Sequence, residues 1–188
     1  MVNESTVQWL LNSNEPWTRY RTLIDLMDLP EEDSRVKQTR SELLDHPDIR
    51  NMIVETNNWP GKAFTRHNDA SYVIYKFSTL ADFGIRASDP GMAAGLEAIL
   101  SHPSSEGAFQ SMVNIPPSFG GSGQDQWVWM SCDSPTLLYI LLSMGKNEDD
   151  MVKKAVDHLA GLVDENGWRC RSAPELGRFR GPGRKEVP

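Results

Sequence analysis

Residues 134–145 read SPTLLYILLSMG, and apolar side chains cover most of the circumference of the helix that this run predicts. A helix that is apolar nearly all round is typically a buried one. Gly145 ends the run, because glycine adopts the left-handed conformation that closes a helix without a steric cost. We therefore expect a core helix over residues 134–144.

Helical periodicity continues on both sides of this run. Apolar residues recur at three- and four-residue steps, the spacing of one helix face, and prolines or glycines end most of these sets. Asn68 or Asp69 is suited to cap the start of the helix that follows it. The pattern predicts six more helices, at residues 17–27, 31–44, 48–56, 69–83, 90–102 and 149–163.

The helices also repeat at a spacing of about 60 residues. Residues 96–99, LEAI, align with residues 156–159, VDHL, and EGA at 106–108 aligns with NGW at 166–168. Such self-similarity is typical of stacked helical hairpins that bury their apolar faces against each other. We expect a single all-α helical-repeat domain over residues 1–188. Within it, residues 1–60 form less typical helices and residues 171–188 a basic tail rich in glycine and proline.

Composition excludes several classes of protein. The chain has 188 residues, 39% of them apolar and 24% charged, as expected for one globular domain. Its net charge of −7 argues against a nucleic-acid-binding protein. No apolar run is long enough to span a bilayer and no secretion signal is apparent, so we expect a cytoplasmic protein without membrane insertion. Cys132 and Cys170 each lack a nearby second thiol, so the spacing suggests no disulfide framework.

Two turns carry a family resemblance. Residues 164–168, DENGW, resemble the turn that closes repeats in the squalene cyclase and protein prenyltransferase superfamily, and residues 105–110, SEGAFQ, resemble a degenerate copy. The resemblance covers roughly residues 68–170. It implies an α/α toroid with a central cavity, in which the helices at 69–83 and 134–144 are inner and those at 90–102 and 149–163 are outer.

A full toroid needs about six hairpins, and this chain holds three or four at most. We therefore expect an incomplete ring: half a ring, a protomer that completes its cavity as a homodimer, or a piece of a longer chain, which we favour. Residues 15–21, EPWTRYR, are similar instead to the start of a HEAT repeat. The alternative fold is therefore a HEAT-like superhelix.

Residues 103–133 form the longest irregular segment, and long insertions in compact domains are usually functional. A glycine cluster there is followed by two tryptophans two residues apart, whose ring faces suit an apolar, sugar or cationic ligand. Alternatively, the tryptophans fill the core beneath the loop. The candidate ligand-binding residues of this segment are Phe119, Asp125, Trp127 and Trp129.

Asp133 and His67 are the candidate catalytic residues. Squalene-type cyclases carry an Asp-x-Asp-Asp segment at the start of an inner helix, and of that pattern only Asp133 is present here, with Ser134 in place of a second acid. His67 precedes the other inner helix, so the two side chains would form an acid–base pair at one end of the cavity. Alternatively, Asp133 is a helix cap and His67 a surface residue.

A prenyltransferase zinc site needs Asp, Cys and His ligands together, and no histidine is tied in sequence to Cys132 and Asp133. We expect no metal and no cofactor. Arg178 and Arg180 in the basic tail are candidates to hold an anionic group such as a diphosphate, the alternative being a solvated tail.

The resemblance implies a terpenoid cyclase-like or prenyltransferase-like protein that binds an organic ligand, such as an isoprenoid, in an aromatic-lined cavity. If it is an enzyme, it is a transferase or a cyclase or isomerase. The alternative is a non-catalytic helical-repeat scaffold that binds a protein partner.

Overall fold

The computed structural model describes residues 3–66, 69–165 and 167–176, and this part of the chain is mostly helical. The all-α prediction is therefore confirmed at the level of the fold class. The eight α-helices of these residues are α1 (Glu4–Leu11), α2 (Pro16–Arg21), α3 (Ser34–Asp45), α4 (Pro47–Thr56), α5 (Val73–Asp82), α6 (Ala93–Leu100), α7 (Ser134–Ser143) and α8 (Asp150–Gly161).

Two small antiparallel sheets accompany the helices. Strand β1 (Ser111–Val113) pairs with β2 (Gln126–Val128), and β3 (Val163–Asp164) pairs with β4 (Gly167–Trp168). The segment at 103–133, predicted to be irregular, therefore contains a strand pair. Likewise, the acidic-glycine turn at 164–168 is the tip of a hairpin, in which Gly167 has a positive φ of 95°.

Helices that follow each other in the chain pack against each other from α2 to α5, and α5 then packs against α7 and α7 against α8. The core runs through all of them. On α7, Leu137, Ile140 and Leu141 are fully buried, as the apolar run predicts. The helix is not buried all round, however, because Tyr139 and Leu142 are 44% and 39% exposed and the Tyr139 hydroxyl donates to the Asp82 carboxylate.

Arg40 joins α3 to the loop that precedes α6. Its guanidinium donates to the Gly84 carbonyl at 2.7 Å and to the Asp89 carboxylate at 2.5 Å. The same Asp89 carboxylate accepts the backbone amide of Arg86 at 2.7 Å. Hydrogen bonds between charged groups are among the strong ones, so this little-exposed pair fixes the loop.

Several helix starts differ from the prediction. Helix α5 begins at Val73 rather than residue 69, because the Asp69 carboxylate accepts from the Ser71 amide and hydroxyl and holds a turn there instead. Helix α6 begins at Ala93, since Gly91 adopts a positive φ of 87° and a turn replaces the first helical residues. The structure adds α1, whose cap is the side chain of Asn3 accepting from the Ser5 amide.

No helix among residues 3–66, 69–165 and 167–176 has both the length and the apolar character needed to cross a membrane.

Gly95 allows α6 to approach α5 and α4 closely. A Cβ atom at this position would lie 2.8 Å from Cζ of Phe77 and 3.0 Å from the Thr56 carbonyl oxygen, closer than packed atoms normally lie. The φ of Gly95 is not positive, so backbone conformation does not require glycine at this position. Close packing against α5 and α4 does.

We predict that Gly95→Ala lowers the free energy of unfolding by roughly 1–3 kcal/mol, because overpacking outweighs the better helix propensity of alanine. Urea denaturation would measure it. Gly161→Ala is the matched control, since nothing lies within 4 Å of a Cβ at that helical position. It should be neutral or stabilising by up to about 1 kcal/mol. Equal effects of the two substitutions would contradict the packing argument.

Candidate functional site

A backbone contact fastens the 103–133 segment to the chain that precedes α5. The Phe64 amide donates to the Met112 carbonyl, and the Asn114 amide donates to the Phe64 carbonyl, both at 2.8 Å. Phe64 thereby lies parallel to Val113 of β1. Its ring is 2% exposed and packs on Tyr72, with ring centroids 4.2 Å apart.

A groove of about 600 Å³ lies beside this contact, a volume typical of small-molecule sites. Its first wall comes from the segment that leads into α5, and its second from the two ends of the β1–β2 connection. The lining residues are Gly61, Lys62, Ala63, Thr65, Arg66, Asp69, Tyr72, Asn114 and Asp125. Most of their side chains are polar or charged.

An ion pair dominates the first wall. The Lys62 ammonium lies 2.5 Å from the Asp69 carboxylate and 4.8 Å from the centre of the Tyr72 ring. The Lys62 hydrogen bond, together with those from the Ser71 hydroxyl and amide, holds the pKa of Asp69 well below its usual range. Asp69 is thus a carboxylate at neutral pH, and it acts as a charged acceptor rather than a proton donor.

An amide–carboxylate pair forms the second wall. The Asn114 side-chain amide donates to the Asp125 carboxylate at 2.8 Å and to the Gly123 carbonyl at 3.3 Å. These bonds brace the connection between β1 and β2 and orient the Asp125 side chain at the edge of the groove. The remaining lone pairs of that exposed carboxylate can accept hydrogen bonds from a ligand.

Tyr72 is the buried member of the lining, with 3% of its surface exposed. Its phenol oxygen accepts the Thr65 amide at 3.1 Å and lies 3.4 Å from the Thr65 hydroxyl. Burial alone raises the pKa of Tyr72. The hydrogen bonds from Thr65 and from the Arg66 amide, together with the charge of Lys62, lower that pKa by more than burial raises it, so the net shift is downward. These hydrogen bonds fix the phenol oxygen of Tyr72 in the wall of the groove.

Of the four predicted ligand-binding residues at 119–129, Asp125 is the one that lines the groove. Trp127 is half-buried and stacks on His102 with ring centroids 3.7 Å apart. Trp129 is 3% exposed, its indole N–H donating to the Glu106 carboxylate. The pair does not present two ring faces side by side at a cavity mouth. Trp129 lies in the core, as in the alternative interpretation, and Phe119 is 53% exposed.

Asp133 lies at the start of α7, and it is 3% exposed. Although it occupies the cap position, its side chain makes no capping hydrogen bond, so the alternative interpretation as a side-chain cap is wrong. Burial and then the nearby charge of Asp133 raise the pKa of Tyr75, which places this carboxyl against α5. Asp133 is not among the groove-lining residues.

His67, Arg178 and Arg180 lie outside the described residues, and their predicted roles stay predictions. Within the residues that are described, no cluster of three or more His, Cys, Asp or Glu side chains is placed to hold a metal ion.

The sequence pattern does not predict Lys62, Tyr72 or Asn114 as site residues. In the segment at 59–69 it points only to His67, and it places Tyr72 inside a helix. The sole local signal was the proline and glycine at positions 60 and 61, which indicate a non-helical connection before α5.

Comparison of the chain with protein-family models, with curated proteins and with solved structures gives no match. The function of the groove has to follow from its own residues.

We predict that Tyr72 loses its proton at a lower pH than Tyr75 and Tyr139, whose pKa values are raised by burial and by a hydrogen bond to Asp82, respectively. Ultraviolet phenolate absorbance followed against pH would show it, and Tyr72→Phe should remove the early part of the rise. Because the unfolded chain retains this proton to higher pH, ionisation of Tyr72 should stabilise the fold as pH rises through the interval between the lowered pKa and the ordinary value near 10.

Tyr139→Phe is the control for this titration, because it should remove only a late part of the absorbance rise. An early rise that survives in Tyr72→Phe would show that the amides of Thr65 and Arg66 do not favour the phenolate.

Proposed function

We propose that this chain is a helical-repeat protein of the α/α-toroid type that binds a small polar organic molecule in the groove between residues 61–72 and residues 114–125. The observation that carries the proposal is the convergence of two polar walls on one cavity of about 600 Å³. The Lys62–Asp69 pair and Tyr72 form one wall, and the Asn114–Asp125 pair forms the other.

The charges of the lining indicate the kind of ligand. Among the described lining residues, Lys62 and Arg66 carry positive charge while Asp69 and Asp125 carry negative charge, so their formal charges balance. A balanced site favours a neutral or zwitterionic molecule rich in hydroxyl, amine or carboxylate groups over a diphosphate, which requires an excess of cations. The described part of the lining gives no support to the isoprenoid that the resemblance implies, because it contains no tryptophan or phenylalanine.

The helix packing supports the toroid-type assignment. In the resemblance, α5 and α7 correspond to inner helices and α8 to an outer one, and a ring of this kind packs inner helices on each other and each outer helix on its inner partner. The contacts of α5 with α7 and of α7 with α8 follow that arrangement, whereas α5 packs chiefly on α4 rather than on α6, the helix that the resemblance makes its outer partner.

The test is a titration of the uniformly ¹⁵N-labelled chain with a panel of free amino acids, monosaccharides and monocarboxylic acids, one at a time. We expect at least one class to shift the backbone amide resonances of Thr65, Arg66 and Asn114. Lys62→Met should weaken binding of that ligand about tenfold, a loss of about 1.4 kcal/mol, since it removes a groove cation and leaves Asp69 without its charged partner.

Lys154→Met is the matched control, because Lys154 is an exposed lysine of α8 remote in sequence from both walls. It should leave the affinity unchanged. If no class in the panel shifts the groove amides, or if the two lysine variants weaken binding equally, the proposal is wrong.

A second candidate function, a scaffold for a protein partner, is favoured by the β3–β4 hairpin. Val163 and Trp168 lie opposite each other in its register and are 51% and 60% exposed. Paired exposed apolar side chains of this kind are typical of contact surfaces. A scaffold would be insensitive to Lys62→Met and sensitive to Val163→Lys, which separates it from the ligand-binding proposal.

A further inference from the structure

The structure brings together two chain segments that carry the cysteines. Met130 and Ser172 form an antiparallel bridge. The Ser131 amide donates to the Arg171 carbonyl at 2.9 Å, and the Ala173 amide donates to the Trp129 carbonyl at 2.9 Å. The segment that leads into α7 therefore runs alongside the segment that follows β4.

The register of this bridge, extended by two residues, pairs Cys132 with Cys170. Each step forward from Met130 corresponds to a step backward from Ser172, so two steps along lead to Cys132 and Cys170. The ladder ends at Ser131 and Arg171, so the two cysteines lie one residue beyond its last hydrogen bond. Cβ atoms of directly opposed strand residues lie about 4.5–5.5 Å apart, and a disulfide needs about 3.5–4.5 Å.

Ser131 and Arg171 hold the two segments directly beside the cysteines. The Ser131 hydroxyl donates to the Arg171 carbonyl at 3.0 Å, and the Arg171 amide donates to the hydroxyl oxygen of Ser131 at 2.9 Å. After Ser131 the chain turns into α7, with the Asp133 amide donating to the Met130 carbonyl. Cys132 therefore lies on an exposed turn one residue beyond the ladder rather than inside a sheet.

We propose that Cys132 and Cys170 form a reversible intramolecular disulfide. Both are exposed thiols, so a small disulfide such as oxidised glutathione can reach them. One protein thiolate attacks that disulfide and releases one glutathione thiol, which leaves a mixed disulfide. The second protein thiolate then attacks the mixed disulfide at the protein sulfur and releases the second glutathione. The two protein thiols lose two electrons and two protons in total, and the oxidised glutathione gains them.

The bond would close a covalent loop that contains α7, α8 and the β3–β4 hairpin. It would fasten residues 170–176 to the start of α7, next to the buried Asp133. Closing a loop of this length restricts the unfolded chain, so the oxidised protein should be the more stable one. The attachment of residues 170–176 to the start of α7 therefore depends on whether Cys132 and Cys170 are oxidised.

The test is oxidation of the full chain with glutathione disulfide, followed by alkylation with N-ethylmaleimide and intact-mass spectrometry under denaturing conditions. We expect a monomer that is about 2 Da lighter than the reduced chain and takes up no maleimide. Peptide mapping should join the peptides of Cys132 and Cys170. Thermal unfolding should show a Tm about 5–10 °C higher than in the reduced chain, and dithiothreitol should restore the lower value.

Cys132→Ser and Cys170→Ser are the matched controls. Both side chains are exposed, so each reduced variant should keep the Tm of the reduced chain. Each oxidised variant should carry a single glutathione and show no rise in Tm. The proposal is overturned if the oxidised wild-type chain carries two glutathiones, remains open to alkylation at both cysteines, or is linked only as an intermolecular dimer.

Discussion

The candidate site depends on the two backbone hydrogen bonds of Phe64. They join a connection that precedes α5 to β1, which lies about fifty residues further along the chain. The two walls of the groove come from distant parts of the sequence, because one belongs to residues 61–72 and the other to the ends of the β1–β2 connection. The ring of Phe64 is buried in the core. The packing of this ring therefore also fixes the distance between the two polar walls.

The polar chemistry of the groove rests on this apolar support. The Tyr72 ring packs on Phe64, and its phenol oxygen accepts the Thr65 amide. The Lys62 ammonium lies over the same ring and pairs with Asp69. Because backbone amides and packed rings hold these groups before any ligand arrives, a ligand meets donors and acceptors that need little reorganisation.

The helices were predictable because their signal is local. The apolar periodicity of α7 and the Asp149 cap of α8 are both visible in the sequence. The start of α5 was not, since the turn at Asp69 competes with the helix through hydrogen bonds to Ser71. In the site, the glycine-rich loop makes Asp125 predictable from the sequence. Lys62 and Tyr72 are not, because a contact with β1 brings them to the groove and no short-range pattern records it. Trp129 is in the core because Glu106 satisfies its indole N–H, a pairing that spacing does not reveal.

The Phe64 and Asn114 amides also act as reporters of how the groove opens. Their hydrogens are the ones held between the two walls, so they exchange with solvent only when the walls separate or the whole domain unfolds. A molecule that bridges the walls adds its binding free energy to the cost of that separation. Occupancy of the groove therefore has a direct readout in the exchange rates of two amides, even for a ligand whose chemical identity is unknown.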